Sequence, residues 1–245
     1  MKLAIATTVH NRLHITRPVL GHYERMKEKW DERLTLHAVC SEDGEDVACR
    51  RRGWIPHFHP NRPLSYKHDF VVQALEDWNV DAVCIVNSDD LFTLEYLDVV
   101  RDALNDGADM VRFYSYVFVD TIEHRATFAP KAYPASGVVM TSALLDALEW
   151  KPWAGKPINR YLDTRLGENL DEVGAEGVAL LPSYEDPAQL CSLKSEHNMW
   201  AYEEHVEMCD GPRIELNLPE YMERHFPQVA AEMRLPPYAS IQPKE

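Results

Sequence analysis

Strand-length apolar runs and helix-spaced apolar positions alternate along the first two-thirds of this chain, and that order leaves few folds open. Residues 3–9 form an apolar run of strand length. Ile15, Val19, Leu20, Tyr23, Met26 and Trp30 then share one helical face, with Thr16 placed to cap it and Pro18 in its first turn. A second strand over 34–40 ends at Ser41-Glu42-Asp43-Gly44, a turn by composition. Arg50-Arg51-Arg52 before Gly53 reads as a solvated turn. A short strand over 55–59 leads into Pro60-Asn61-Arg62-Pro63, and Tyr66, Phe70, Ala74, Leu75 and Trp78 define the next helix. The run 82–86 is the cleanest strand; Leu94, Leu97, Arg101 and Leu104 mark a helix, and 109–119 reads as one further strand. Beyond about residue 120 the pattern weakens to a strand over 138–141, a helix over 142–150 and a strand over 177–181. The expectation is an α/β domain with a mostly parallel sheet over 1–209. A proline-rich arm over 210–245, carrying one helix over 220–233, would pack on it.

With 245 residues the chain is long enough to bury one continuous core. No window approaches the run of about 20 apolar residues that spans a bilayer. The N-terminal apolar stretch is short and ends in His10-Asn11-Arg12, so it reads as a strand and not as a leader. Five scattered cysteines with no CxxC spacing, two of them (Cys40 and Cys84) inside apolar strands, point to thiols in a reducing cytoplasm. The net charge of −15 disfavours nucleic acid and anionic membranes as partners, since either would be repelled on average.

The chemistry concentrates at one strand end. In Val83-Cys84-Ile85-Val86-Asn87-Ser88-Asp89-Asp90-Leu91, four apolar residues place a buried strand and polar acceptors emerge at its carboxyl end. Ligands of open parallel sheets bind outside those ends. Adjacent carboxylates repel one another unless a cation or donors offset them, and a divalent metal shared with a diphosphate does that. The competing reading is a helix N-cap at Asp89 or Asp90.

The order strand, Thr7-Thr8-Val9-His10-Asn11-Arg12, helix, strand, Ser41-Glu42-Asp43-Gly44, Asn61…Lys67, then Asn87-Ser88-Asp89-Asp90 resembles the nucleotide-binding half of GT-A glycosyltransferases, particularly family 2. The likeness covers roughly residues 1–150 and more loosely reaches about 200. It implies a Rossmann-related GT-A fold and a nucleoside-diphosphate sugar, UDP-linked by family habit, as donor. Thr7, Thr8, Asn11 and Arg12 would line the base and ribose pocket, Glu42 or Asp43 would contact uracil or ribose, and Lys67 and Asp69 would face the nucleotide. The tetrad Asn87, Ser88, Asp89, Asp90 would be the metal motif for Mn²⁺ or Mg²⁺, with Asn where the family has Asp. Gly137 in Ala135-Ser136-Gly137 would let the backbone approach the donor sugar. His197 would be a late metal ligand and Lys194 a diphosphate contact. Inverting transfer needs a base, and Asp163 is the candidate.

Three alternatives stand beside glycosyl transfer. A nucleotidyltransferase would share the carboxylates, yet usually carries a glycine-rich loop that Thr7–Arg12 lacks. A metal-dependent nucleotide-sugar hydrolase would consume donor with no help from an acceptor, and Asn87 keeps a non-catalytic nucleotide- or sugar-binding module open. His57-x-His59 with Asp89 or Asp90 suggests a metallohydrolase, but the two histidines alternate along a short strand, point to opposite faces and do not easily share one ion. The acceptor is not encoded in any motif: a glycan, a small molecule, a protein side chain and a modified DNA base all remain.

Overall fold

The computed structural model describes residues 1–30, 33–132, 134–159, 161–195, 202–209, 211–233 and 235. Strand β1 (Lys2–Thr8) is buried almost throughout, as a central parallel strand covered on both faces must be. Helix α1 (Leu13–Lys29) returns the chain to β2 (Arg33–Cys40), which lies parallel to β1. Thr16 does not cap α1; the helix begins four residues earlier than a Thr16 cap requires, at Leu13, so Thr16 is buried inside it and Pro18 sits within the helix. Helix α2 (Glu45–Arg51) follows, where the sequence offers only a basic turn, and β3 (Ile55–Phe58) adds to the outer side of β2. Helix α3 (Leu64–Gln73) then carries the chain back past β1 to β4 (Ala82–Asn87), which pairs with the opposite edge of β1. Chain direction across the sheet reverses between β1 and β4, and such a switch point opens a crevice at the strands' carboxyl ends.

Asp90 is not a helix cap. It opens a short strand, β5 (Asp90–Phe92), and helix α4 (Leu94–Asn105) takes Thr93 as its N-cap. The apolar stretch expected as one strand divides at Tyr114 into β6 (Met110–Phe113) and β7 (Ser115–Asp120), which belong to different sheets. Next come β8 (Arg125–Pro130), β9 (Val138–Thr141), α5 (Ser142–Ala147), α6 (Leu162–Glu172), β10 (Gly177–Leu180) and β11 (Leu190–Lys194). Helix α7 (Tyr202–Met208), β12 (Ile214–Leu216), α8 (Leu218–His225) and α9 (Pro227–Glu232) complete the order; Pro227 splits the one helix that the sequence pattern predicts.

Among the described residues the main sheet has seven strands, β10-β6-β9-β4-β1-β2-β3, with only β9 antiparallel to its neighbours. The second has five, β12-β8-β7-β11-β5. The chain passes between the sheets repeatedly, most directly from β4 to β5 through Ser88-Asp89 and from β6 to β7 through Tyr114. The carboxylate pair therefore sits on a hinge between sheets. One core packs α1, α4 and the second sheet on one face of the main sheet and takes in Met222, Phe226 and Val229 of α8–α9. The other packs α3, α5 and α6 on the opposite face.

Candidate functional site

Three strand ends lie abreast at the crevice, where Thr8 pairs with Val39 on one side and Asn87 on the other. The backbone of Arg12 caps α1, accepting from the amides of Ile15 and Thr16. Its guanidinium reaches across to the end of β4 and grips Asp89 with both arms, at 3.2 Å to Oδ2 and 3.3 Å to Oδ1. It also donates to Ser88 Oγ at 3.2 Å. From the second sheet, buried Lys194 brings its ammonium to 3.6 Å from Asp89 Oδ2. Asp89 is thus a carboxylate between two cations, as a buried charge requires.

Asp90 is nearly inaccessible and takes a 2.8 Å hydrogen bond from the Asn87 amide nitrogen to Oδ2, while Oδ1 has no hydrogen-bond partner. Burial pushes this carboxyl up and the Asp89 charge adds to the push, against Lys194 and the nearby hydroxyls of Ser136 and Ser192. The Asn87 backbone N–H donates to Ser136 Oγ at 3.0 Å, which ties the tetrad to the loop before β9.

The other side of the crevice is held by a residue that sequence reading missed. Glu45, buried at the start of α2, accepts from the amide of Asn11 at 2.7 Å through Oε1. Its Oε2 accepts from the amides of Ser41 and Glu42 at 2.8 and 3.1 Å. One carboxylate so pins the loops after β1 and β2. Lys67 fills the gap between them, donating to Val9 O, Ser41 Oγ and Asn61 Oδ1. Burial depresses its ammonium to about 8, with Glu45 the first of the groups opposing the shift. Thr8 Oγ1 lies 3.5 Å from His68 Nε2 and Thr7 is buried, while Asn11, Glu42 and Asp43 stand exposed on the rim. Glu42 also lies 3.5 Å from His10 Nδ1.

Two expected residues point elsewhere. Asp69 accepts from the Trp153 amide at 2.8 Å and so anchors the loop after Pro152 to α3, with burial raising its carboxyl to about 6. Gly137 is buried with φ +74°, and a Cβ there would lie 3.3 Å from Leu190 and Phe113 side-chain atoms. It serves a tight turn in the core, and Ser136 is the member of that segment that meets the tetrad. His57 and His59 also lie apart from the carboxylates: His57 Nε2 is 3.2 Å from His37 Nδ1, and His59 Nδ1 is 2.8 Å from Pro60 O.

Asp163 stands in the first turn of α6, where Oδ1 accepts from the Ala135 amide at 2.9 Å. It edges a cavity of about 220 Å³ whose wall includes Arg112, Ala135, Val138, Thr164 and Leu166. Surrounding protein raises its carboxyl, with Asp90 adding and Lys194 opposing, although its exposed position screens that push.

A cation of the Mg²⁺ or Mn²⁺ type takes oxygen ligands and shares them with phosphate. Asp89, Asp90 and the Asn87 amide oxygen are such donors, and the orphaned, buried Asp90 Oδ1 fits an ion. Among the described residues no three His, Cys, Asp or Glu side chains converge on one point, so phosphate and water oxygens would complete the shell. His197, expected as a further ligand, lies outside the described residues.

No protein-family model matches the chain, and no curated protein matches it by sequence. Solved structures do. The mannosyltransferase PcManGT from Pyrobaculum calidifontis, in complex with GDP-Man and Mn²⁺, aligns over 96% of this chain and 69% of its own at TM-score 0.57 and 13% identity. TarS of S. aureus, residues 1–349, aligns over 94% of this chain and 73% of its own at TM-score 0.55 and 12% identity. The fold is GT-A-like. In this frame the switch-point crevice carries Arg12, Asn87, Asp89, Asp90 and Lys194. No described helix is long and apolar enough to cross a membrane.

Proposed function

We propose that the chain is a glycosyltransferase that moves a sugar from a nucleoside-diphosphate sugar to an acceptor hydroxyl with inversion. The observation that carries this reading is the cluster at the switch point, where Arg12 and Lys194 converge on Asp89. Two cations gathered at the carboxyl end of β4 are placed to receive a diphosphate, on which negative charge grows as the sugar leaves. The donor base is uracil on the family habit, and the GDP-Man bound by PcManGT makes GDP the comparison ligand.

The nucleoside would lie over the ends of β1 and β2, against Thr7, Thr8 and Asn11 and within reach of Glu42 or Asp43. Lys67 and Glu45 would hold the two loops in register beneath it. A divalent cation, when bound by Asp89, Asp90 and Asn87, supplies charge that offsets the diphosphate. Arg12 and Lys194 would turn from Asp89 toward the phosphate oxygens. Asp163, held through Oδ1 by Ala135, would take the proton from the acceptor hydroxyl.

The test is product identity. Acceptor-dependent release of a nucleoside diphosphate from UDP- or GDP-sugars supports glycosyl transfer. Pyrophosphate release from a nucleoside triphosphate would replace it with nucleotidyl transfer. Donor breakdown that no acceptor accelerates would replace it with hydrolysis.

A further inference from the structure

We infer that the cavity between Arg112 and Asp163 is an acceptor subsite that selects a molecule carrying an anionic group, a carboxylate or a phosphate. This rests on the glycosyltransferase reading only for the word acceptor; the preference for an anion rests on the cavity itself.

Arg112 lies on β6, in the interior of the main sheet, on the face that packs Val138 and Leu166. Its guanidinium is half-buried, donates to Tyr114 Oη and sits 4.8 Å from the Tyr114 ring centroid. Among the described residues no carboxylate lies within ion-pair distance of it. The chain has 40 acidic against 25 basic residues, and the other partly buried arginines among the described residues, Arg12, Arg25, Arg52, Arg101 and Arg165, all hold acidic partners. A partly desolvated guanidinium with only a ring and a hydroxyl to face it is costly, and five donors with one engaged leave a fork fitted to an oxyanion.

The cavity opens at the edge where chemistry would occur. Ala135 in its wall holds Asp163, and the next residue, Ser136, holds the Asn87 amide. Its volume of about 220 Å³ is below the usual range for drug-sized ligands, so it suits one sugar- or polyol-sized unit. An anion on Arg112 would set such a unit with a hydroxyl toward Asp163.

The experiment is calorimetric titration with D-glucuronate, D-glucose 6-phosphate and D-glucose, on the parent chain, Arg112→Gln, Arg112→Lys and Arg12→Gln, each also titrated with UDP and GDP. The expected result is that the charged sugars bind the parent about 10-fold or more tighter than glucose. Arg112→Gln removes that preference, Arg112→Lys keeps part of it, and Arg12→Gln leaves the glucuronate preference intact. No preference in the parent, or one that survives in Arg112→Gln, overturns the inference. A preference lost equally in Arg12→Gln would move the anion to the diphosphate site and overturn it too. Nucleotide titration separates the two readings. Arg112-dependent glucuronate binding without nucleotide binding keeps this subsite and ends the transferase reading, and nucleotide binding without a charge preference does the reverse.

Discussion

Replacing Glu45 by Gln removes one charge from the chain and leaves the side chain's shape almost intact. In the structure Oε1 serves the Asn11 amide and Oε2 serves those of Ser41 and Glu42. Glutamine has one acceptor oxygen. Its best placement keeps the Ser41 and Glu42 bonds and turns its own NH₂ against the Asn11 N–H, so one part-buried bond becomes a donor–donor clash. A hydrogen bond to a charged group contributes about 1.5–3 kcal/mol, and the two that remain weaken toward the ~1 kcal/mol of neutral pairs. The sum is a loss of about 3 kcal/mol. At roughly 2–4 °C per kcal/mol for a chain of this size, Tm should fall by about 6–12 °C. Lys67 adds a second readout. Burial already lowers its pKa to about 8, and the charge opposing that shift is chiefly Glu45, so the variant should depress it further. Urea unfolding followed by circular dichroism, with calorimetry for Tm, measures the loss. A change below about 0.5 kcal/mol, the size of an ordinary surface substitution, would refute the claim that one carboxylate pins both loops.

Arg12→Gln should weaken nucleoside diphosphate binding about 10- to 100-fold. In the absence of nucleotide it should strengthen Mn²⁺ binding, because the fork no longer competes for Asp89; electron paramagnetic resonance of free Mn²⁺ reads this directly, and unchanged affinity would contradict it. Asp163→Asn should lower kcat by about 10²- to 10⁴-fold while donor binding holds, measured by steady-state kinetics against calorimetry. Burial holds the rings of His22, His37 and His68 down to about 4, 3 and 3, so each contributes stability that is complete above pH 6.5 and lost as pH falls toward those values. The loss is at most about 1.4 kcal/mol per pH unit for each ring, partly offset below about pH 6 by Asp69, whose raised pKa acts in the opposite sense. His37→Gln should therefore lose less stability than the parent between pH 7 and pH 5 in urea titrations; an equal loss would count against a neutral buried ring.

The central strands were readable because burial on both faces makes β1, β2 and β4 near-continuous apolar runs, and the tetrad follows from position alone. The division at Tyr114 was not readable. Its two halves are equally apolar, and only tertiary pairing assigns Met110–Phe113 to one sheet and Ser115–Asp120 to the other. Helix α2 is seven residues long and begins in an acidic stretch that looks like the end of a turn, so Glu45 carries no local mark of its role. Arg12 is legible as a candidate site residue, but its grip on Asp89 spans 77 positions and follows only from the strand order. Ser136 and Gly137 are adjacent small residues, and which of them meets the site depends on the turn at Gly137, whose backbone φ is positive. Asp69 sits one turn of chain from productive-looking neighbours, yet helix geometry sends it to Trp153.

The account stands most directly on whether the switch-point crevice binds a nucleoside diphosphate through Asp89 and its two cations. Calorimetric titration of UDP, GDP and CDP, with and without Mn²⁺, on the parent, Asp89→Ala and Arg12→Gln measures it. The account predicts that one nucleotide binds the parent, that Mn²⁺ tightens that binding, and that Asp89→Ala removes the metal's effect while Arg12→Gln weakens the nucleotide itself. Folded parent protein that binds none of the three, with or without metal, would contradict it.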